Sequence, residues 1–222
     1  MNQTTDYLAA FSLWLCVRRH YCGDGSLFVE PAWTGTGAHT GPVMFVSRLH
    51  AQIYTALRNR HYGRGDTSNW QCVPLHAFPL RGHIREQGGR LDCQLAFGFV
   101  ADEAGALMIE DGVAQVRVVE LSFEADDTIE NSTFSFSQWA FEYMQVEWLG
   151  IGAAALHVSF DWIDAMGEAA FARVLDGALS KATLTREIRD PADARYWTVY
   201  DPQASRWISA PVCTPLHALT LH

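Results

Sequence analysis

Between Val43 and Leu75 the hydrophobic pattern changes period twice, and no other feature of the sequence restricts the fold as much. Val43 to Val46 ("VMFV") is a short continuous apolar run suited to a buried strand, Ser47 is a good helix N-cap, and Leu49, Ile53, Ala56 and Leu57 then recur at helical spacing. After the polar turn "NRHYGRGDTSN", whose "RGD" lacks the extracellular setting that would give it meaning, Trp70 to Leu75 returns as a second strand. Two strands joined through a helix form a unit of the βαβ type.

The remainder is read in the same way. The alternation of Phe11, Leu13, Leu15 and Val17 predicts a strand with one buried face, although Tyr7 to Trp14 could equally begin as a helix. "SLFVE" (Ser26 to Glu30) is its hairpin partner across the turn "GDG" at Gly23 to Gly25. "GHIREQGG" (Gly82 to Gly89) reads as a short helix or a turn, and Leu91 to Val100 as a strongly apolar strand. Leu107 to Ile109 and Val113 to Phe123 flank "EDG", a hairpin signal, with Val116, Val118 and Leu121 facing in. Ser135 and Gln138 match a capping box opening a helix, on which Trp139, Tyr143 and Val146 make one apolar face and Phe141, Met144 and Trp148 another. A second helix is expected from about Asp161, with Ile163, Met166, Ala170, Val174 and Ala178 three and four apart. Strands at Arg195 to Tyr200 and Trp207 to Ser209, joined by "DPQAS", complete the pattern. The expected fold is α+β: a mixed, largely antiparallel sheet with helices packed on one face, in a single domain or subdivided into 1–100 and 101–222.

Composition bears on compartment. Five Cys, an odd number widely spaced in a 222-residue chain that is 49% hydrophobic, favour reduced thiols over a disulfide frame. The apolar run Tyr7 to Val17 fails as a signal peptide: no Lys or Arg precedes it, Arg18 and Arg19 follow it, and it has no small-x-small cleavage site. No segment approaches the roughly 18 uninterrupted apolar residues of a membrane span. The expected location is therefore cytoplasmic, where the sequons at Asn2 and Asn131 carry no meaning.

Charge is distributed unevenly. Residues 1–100 hold nine Arg against six acids, residues 101–176 two Arg against fifteen, and residues 177–222 five Lys or Arg against four, so the middle segment supplies the whole of the net −9. Within it, Phe123 to Gly150 has six carboxylates, seven aromatic rings and no Lys or Arg. Such a field excludes nucleic acid and anionic membranes as direct ligands, since phosphate binding needs clustered cations. It suits a basic partner, whose approach it would steer.

Chemistry-bearing patterns are weak. "WTGTGAHTGP" (Trp33 to Pro42) has the glycines of a phosphate loop, but Pro42 leads into a strand and not into a helix whose N-terminus could meet a pyrophosphate. Cys72, His76, His83 and Cys93 match no standard zinc spacing, and Cys16, His20 and Cys22 lack a fourth ligand. His157, Ser159 and Asp161 would point away from a strand in parallel, which cannot chain a base to a nucleophile, so Ser159 or Asp161 reads as a helix cap. Asp126 with Asp127, or Glu110 with Asp111, read as solvated turn carboxylates. The expectation is a protein without catalytic residues, metal or cofactor.

The stretch "GPVMFVSRLHAQIYTALRN" through "WQCVPLHAFPL", Gly41 to Leu80, resembles the strand, helix, strand core of small bacterial immunity-type proteins. Those proteins are encoded beside contact-dependent or type VI secreted toxins and neutralise them by binding. The resemblance implies a one-to-one complex without catalysis, and carries over no residue by position. On charge and residue type, Glu124, Asp126, Asp127, Glu130, Glu142 and Glu147 are expected to give complementarity and association rate to a basic toxin, with Trp139, Tyr143 and Trp148 as anchors. The rival readings are a hydrolase-type enzyme, using His157 or a ligand among Cys72 to Cys93, and an adaptor subunit of a permanent assembly.

Overall fold

The computed structural model describes residues 7–36, 39–62, 69–124, 133–185 and 195–212, so Arg64 to Asp66 of the "RGD" lie outside the described residues. β1 (Tyr7–Leu8) precedes β2 (Trp14–Tyr21) and β3 (Leu27–Pro31), which pair antiparallel around the expected turn, where Gly25 takes φ 83°. β4 (Trp33–Thr36) pairs with β5 (His39–Phe45). α1 (Arg48–Tyr62) follows Ser47, whose Oγ accepts from His50 N–H at 3.4 Å. β6 (Gln71–Pro74) closes the strand, helix, strand unit, yet it does not pair with β5. β2 lies between the two and runs antiparallel to both, so the unit is a split βαβ.

α2 (Leu80–Glu86) fills the stretch read as a short helix or turn, and β7 (Arg90–Ala101) is the spine of the sheet. β8 (Leu107–Glu110), β9 (Val113–Ala114) and β10 (Val116–Glu124) return from it. Asp111 and Gly112, at φ 47° and 78°, make the turn that "EDG" announces, and a Cβ on Gly112 would overlap the His61 ring. β11 (Phe134–Ser135) pairs parallel with β1, and α3 (Gln138–Gly150) begins after Ser137, whose side chain makes no capping bond. The capping box is therefore a correction: Ser135 belongs to a strand. The second helix is another, being two: α4 (Val158–Asp164) and α5 (Glu168–Lys181), parted at Gly167, the extended N-cap of α5. β12 (Leu184–Thr185) pairs with β8, and β13 (Tyr196–Asp201) and β14 (Arg206–Pro211) form the expected last hairpin.

Along β7, β10 runs antiparallel on one edge, while β5 (parallel) and β13 (antiparallel) also pair with it, giving the mixed, largely antiparallel sheet of an α+β fold. β7 spans residue 100, so elements of both halves of the chain share one sheet. Alternate residues of the central strands enter two clusters. Leu15, Val17, Met44, Leu91, Cys93 and Leu95 pack with Leu80 and Ile84 of α2 and with Phe141, Met144 and Trp148 of α3. Cys16, Val43, Phe45 and Ala96 pack with Leu49, Ile53 and Leu57 of α1 and Phe171 of α5. Since successive strand residues point to opposite faces, the clusters lie on the two sides of the sheet, and the helices expected on one face cover both. Runs that are apolar without alternation, such as Val43 to Val46, mark strands buried on two sides. Among the described residues no helix is long and apolar enough to cross a membrane.

Candidate functional site

α3 is held against the sheet through an irregularity in the β7–β10 ladder. Arg117 pairs with Gly98 and Val118 with Ala96, leaving Phe97 as the extra residue of a bulge. The Phe97 carbonyl accepts from the Trp148 indole N–H at 3.0 Å. Trp148 is 0% exposed, packed with Phe11 and Phe160. Its expected role as a contact anchor is thus corrected: a ring committed to the core and to a bulge carbonyl cannot reach a partner.

Arg117 is the residue the sequence reading missed. Its parity on β10 is that of Val119 and Leu121, which face α3, whereas Val116 and Val118 face the other cluster. The side chain is buried between the rings of Phe97 and Trp197, at 5.5 and 5.3 Å, and its Nη2 donates to Glu147 Oε2 at 2.7 Å and to Tyr143 Oη at 3.5 Å. Glu147 therefore spends its charge inside the molecule. Burial raises the Tyr143 phenol above its ordinary value, with Arg117 opposing, so Tyr143 is neutral at pH 7. An Arg in an alternating strand is ordinarily read as facing water, and only the α3 carboxylate opposite it reveals otherwise.

The outward side of α3 carries the other apolar face. Trp139 is 38% exposed and stacks on Tyr143 at 5.7 Å and 17°, while Val146 and Leu149 are 65% and 63% exposed. Exposed Glu142 accepts from Gln138 Nε2 at 3.4 Å beside them. Glu124 leaves β10 at the end where α3 begins, since Phe123 packs on Phe136 at 5.2 Å, and its carboxylate lies 3.7 Å from Arg90. Asp126, Asp127 and Glu130 lie outside the described residues. The acids of 101–176 do not form one patch: Glu168 and Asp176 are on α5, across the sheet from α3, and Glu168 pairs with Arg48 at 2.6 Å.

A second candidate is a cleft of about 70 Å³ lined by Trp33, Thr40, His83, Gln87, Arg90, Leu91 and Asp92. The His83 ring is wedged between Trp33 and Phe78, burial lowers its pKa, and its buried Nε2 has no hydrogen-bond partner among the described residues. It is neutral at pH 7 and could exchange a proton. The nearby Asp92 carboxylate, however, is occupied by Arg90 at 2.7 Å and by the Ser122 hydroxyl, and the space holds little more than two waters. His157 stands at the N-terminus of α4, where Ser159 Oγ donates to the Leu156 carbonyl at 2.6 Å instead of facing a base. No three His, Cys, Asp or Glu side chains converge on a metal position among the described residues, so neither cysteine and histidine set weighed above is brought together. In comparisons with known proteins, no family, no curated protein and no solved structure matches the chain.

Proposed function

We propose that this is a non-enzymatic binding protein that neutralises a basic protein partner, as the immunity partner of a cognate bacterial toxin. One observation carries the reading: α3 presents Trp139, Val146 and Leu149 outward, with half-buried Tyr143 stacked on Trp139 and exposed Glu142 at the rim, in a stretch from 118 to 172 that has no Lys or Arg. A stacked Trp–Tyr pair supplies rigid contact area for a complex, and an exposed apolar stripe of this kind is uncommon without an occupant. The carboxylate rim selects cationic surfaces and raises their encounter rate. Glu124 and Glu142 serve that contact, while Glu147 and Trp148 hold the helix that displays it.

The test takes the product of the neighbouring reading frame, which the proposal requires to be a basic protein. Glu124→Lys with Glu142→Lys is expected to slow association at low salt by roughly tenfold, the difference shrinking as salt rises. Trp139→Ala is expected to speed dissociation about thirtyfold, the effect of losing an anchoring aromatic. Thermal stability should hardly move in either variant. Rates equal to those of the parent protein would remove α3 from the contact, and no complex at all would remove the function.

A further inference from the structure

β2 and β6 place two cysteines directly opposite one another. The register runs Trp14 to Pro74, Leu15 to Val73, Cys16 to Cys72 and Val17 to Gln71. In an antiparallel ladder, opposed pairs alternate between hydrogen-bonded and non-hydrogen-bonded, and the latter bring side chains closest, with Cα atoms about 4.5 Å apart. Two observations set the phase. Leu75 N–H donates to the Leu13 carbonyl at 2.7 Å, which makes that pair hydrogen-bonded. Pro74 has no N–H to give to β2, which its place opposite Trp14 in a non-hydrogen-bonded pair permits. Two residues further on, Cys16 and Cys72 are again a non-hydrogen-bonded pair, and the Cys16 carbonyl is turned to the other side, accepting from Ala32 N–H at 2.7 Å. That spacing falls in the range of about 4.4 to 6.8 Å between Cα atoms that a disulfide spans.

We propose that Cys16 and Cys72, both free thiols, form a cross-strand disulfide when the protein meets a small-molecule disulfide. The thiolate of Cys72, the less buried of the two, attacks one sulfur of the reagent and expels its first thiolate. Cys16 then attacks Sγ of Cys72 in the mixed disulfide and expels the second. The two protein thiols lose two protons and two electrons, and the reagent is reduced to two thiols. Burial pushes the Cys16 thiol up to about 11, against the pull of Thr55 and Arg58, and pushes Cys72 up as well, Cys16 adding to the rise. Thiolate is scarce at neutral pH, so closure is slow there and quickens in alkali. Cys93 cannot compete, because it packs in the cluster on the opposite face of the sheet from Cys16. The bridge would tie β2 to the strand that follows α1, closing the split βαβ unit covalently.

The experiment treats the full chain with excess hydroxyethyl disulfide at alkaline pH, then quenches it in acid for non-reducing peptide mapping and thermal melting. The expected product is one linked peptide pair containing Cys16 and Cys72, two hydrogens lighter than the two reduced peptides, with exposed Cys22 carrying the reagent as a mixed disulfide, and a Tm raised by roughly 10 °C, reversed by reductant. Cys22→Ser should leave the Cys16–Cys72 link and the Tm rise unchanged, and Cys72→Ser should abolish both. A stable mixed disulfide on Cys72, a bridge through Cys22, Cys93 or Cys213, or a lowered Tm on closure would overturn the proposal. The parent protein's peptide map decides the matter even where a variant fails to fold.

Discussion

His50 shows how a single burial decision reaches the stability of the whole protein. Its imidazole is fully buried in α1 against Phe99, with Nε2 3.2 Å from the Tyr200 carbonyl oxygen and 3.3 Å from Tyr200 N. Burial lowers its pKa from 6.5 to about 4. The unfolded chain therefore binds the proton more tightly than the folded one. Stability from this group is complete above about pH 6.5 and is lost as pH falls towards 4, in all by about 3 kcal/mol. Burial lowers His83 too, which adds in the same direction. Urea midpoints should fall between pH 7 and pH 4.5, and the slope should flatten in His50→Leu. A midpoint that is level across that interval in the parent protein would contradict the assignment.

For the elements, α3 was legible as a helix with two apolar faces, and its inward face of Phe141, Met144 and Trp148 is buried together with Ala140. Its start was not legible, because Ser135 and Gln138 satisfy a local capping pattern while Ser135 is taken by pairing with β1. Nor was the pair that anchors it. Glu147 and Arg117 lie 30 residues apart, and Arg117 Nε and Nη1 are already buried without a hydrogen-bond partner among the described residues. Glu147→Gln should therefore cost about 3 kcal/mol, by stranding a buried cation. Arg117→Met, which removes the charge and fills similar volume, should cost much less. Chemical denaturation of the two variants checks the order, and equal losses would show that the pair acts only through packing. The candidate contact face was half legible: Trp139, Glu142 and Tyr143 border the outward side, whereas Trp148 and Glu147 turn inward because the bulge at Phe97 and the buried Arg117 claim them.

At the scale of the whole molecule, β7 binds the two halves of the chain. It pairs with β5 from the first half and with β10 and β13 from the second, and residues Cys93 to Ala101 are all buried. Residues 1–101 expressed alone should not fold, since the fragment would open the β10 and β13 edges and expose the α3 side of the core. Circular dichroism with a cooperative melt from that fragment would show instead that the halves are independent. The sequence by itself determined where most strands and helices lie and how the Gly25 and Asp111–Gly112 turns are made, because those choices rest on side-chain period and on φ preferences within a few residues. Only the tertiary structure decided that β2 enters between β5 and β6, that helices cover both faces, that Arg117 points inward and that Cys16 meets Cys72. Each of these depends on which distant segments share an edge or a face, and the free energy of that choice is summed over long-range packing that leaves no mark in any short window of sequence.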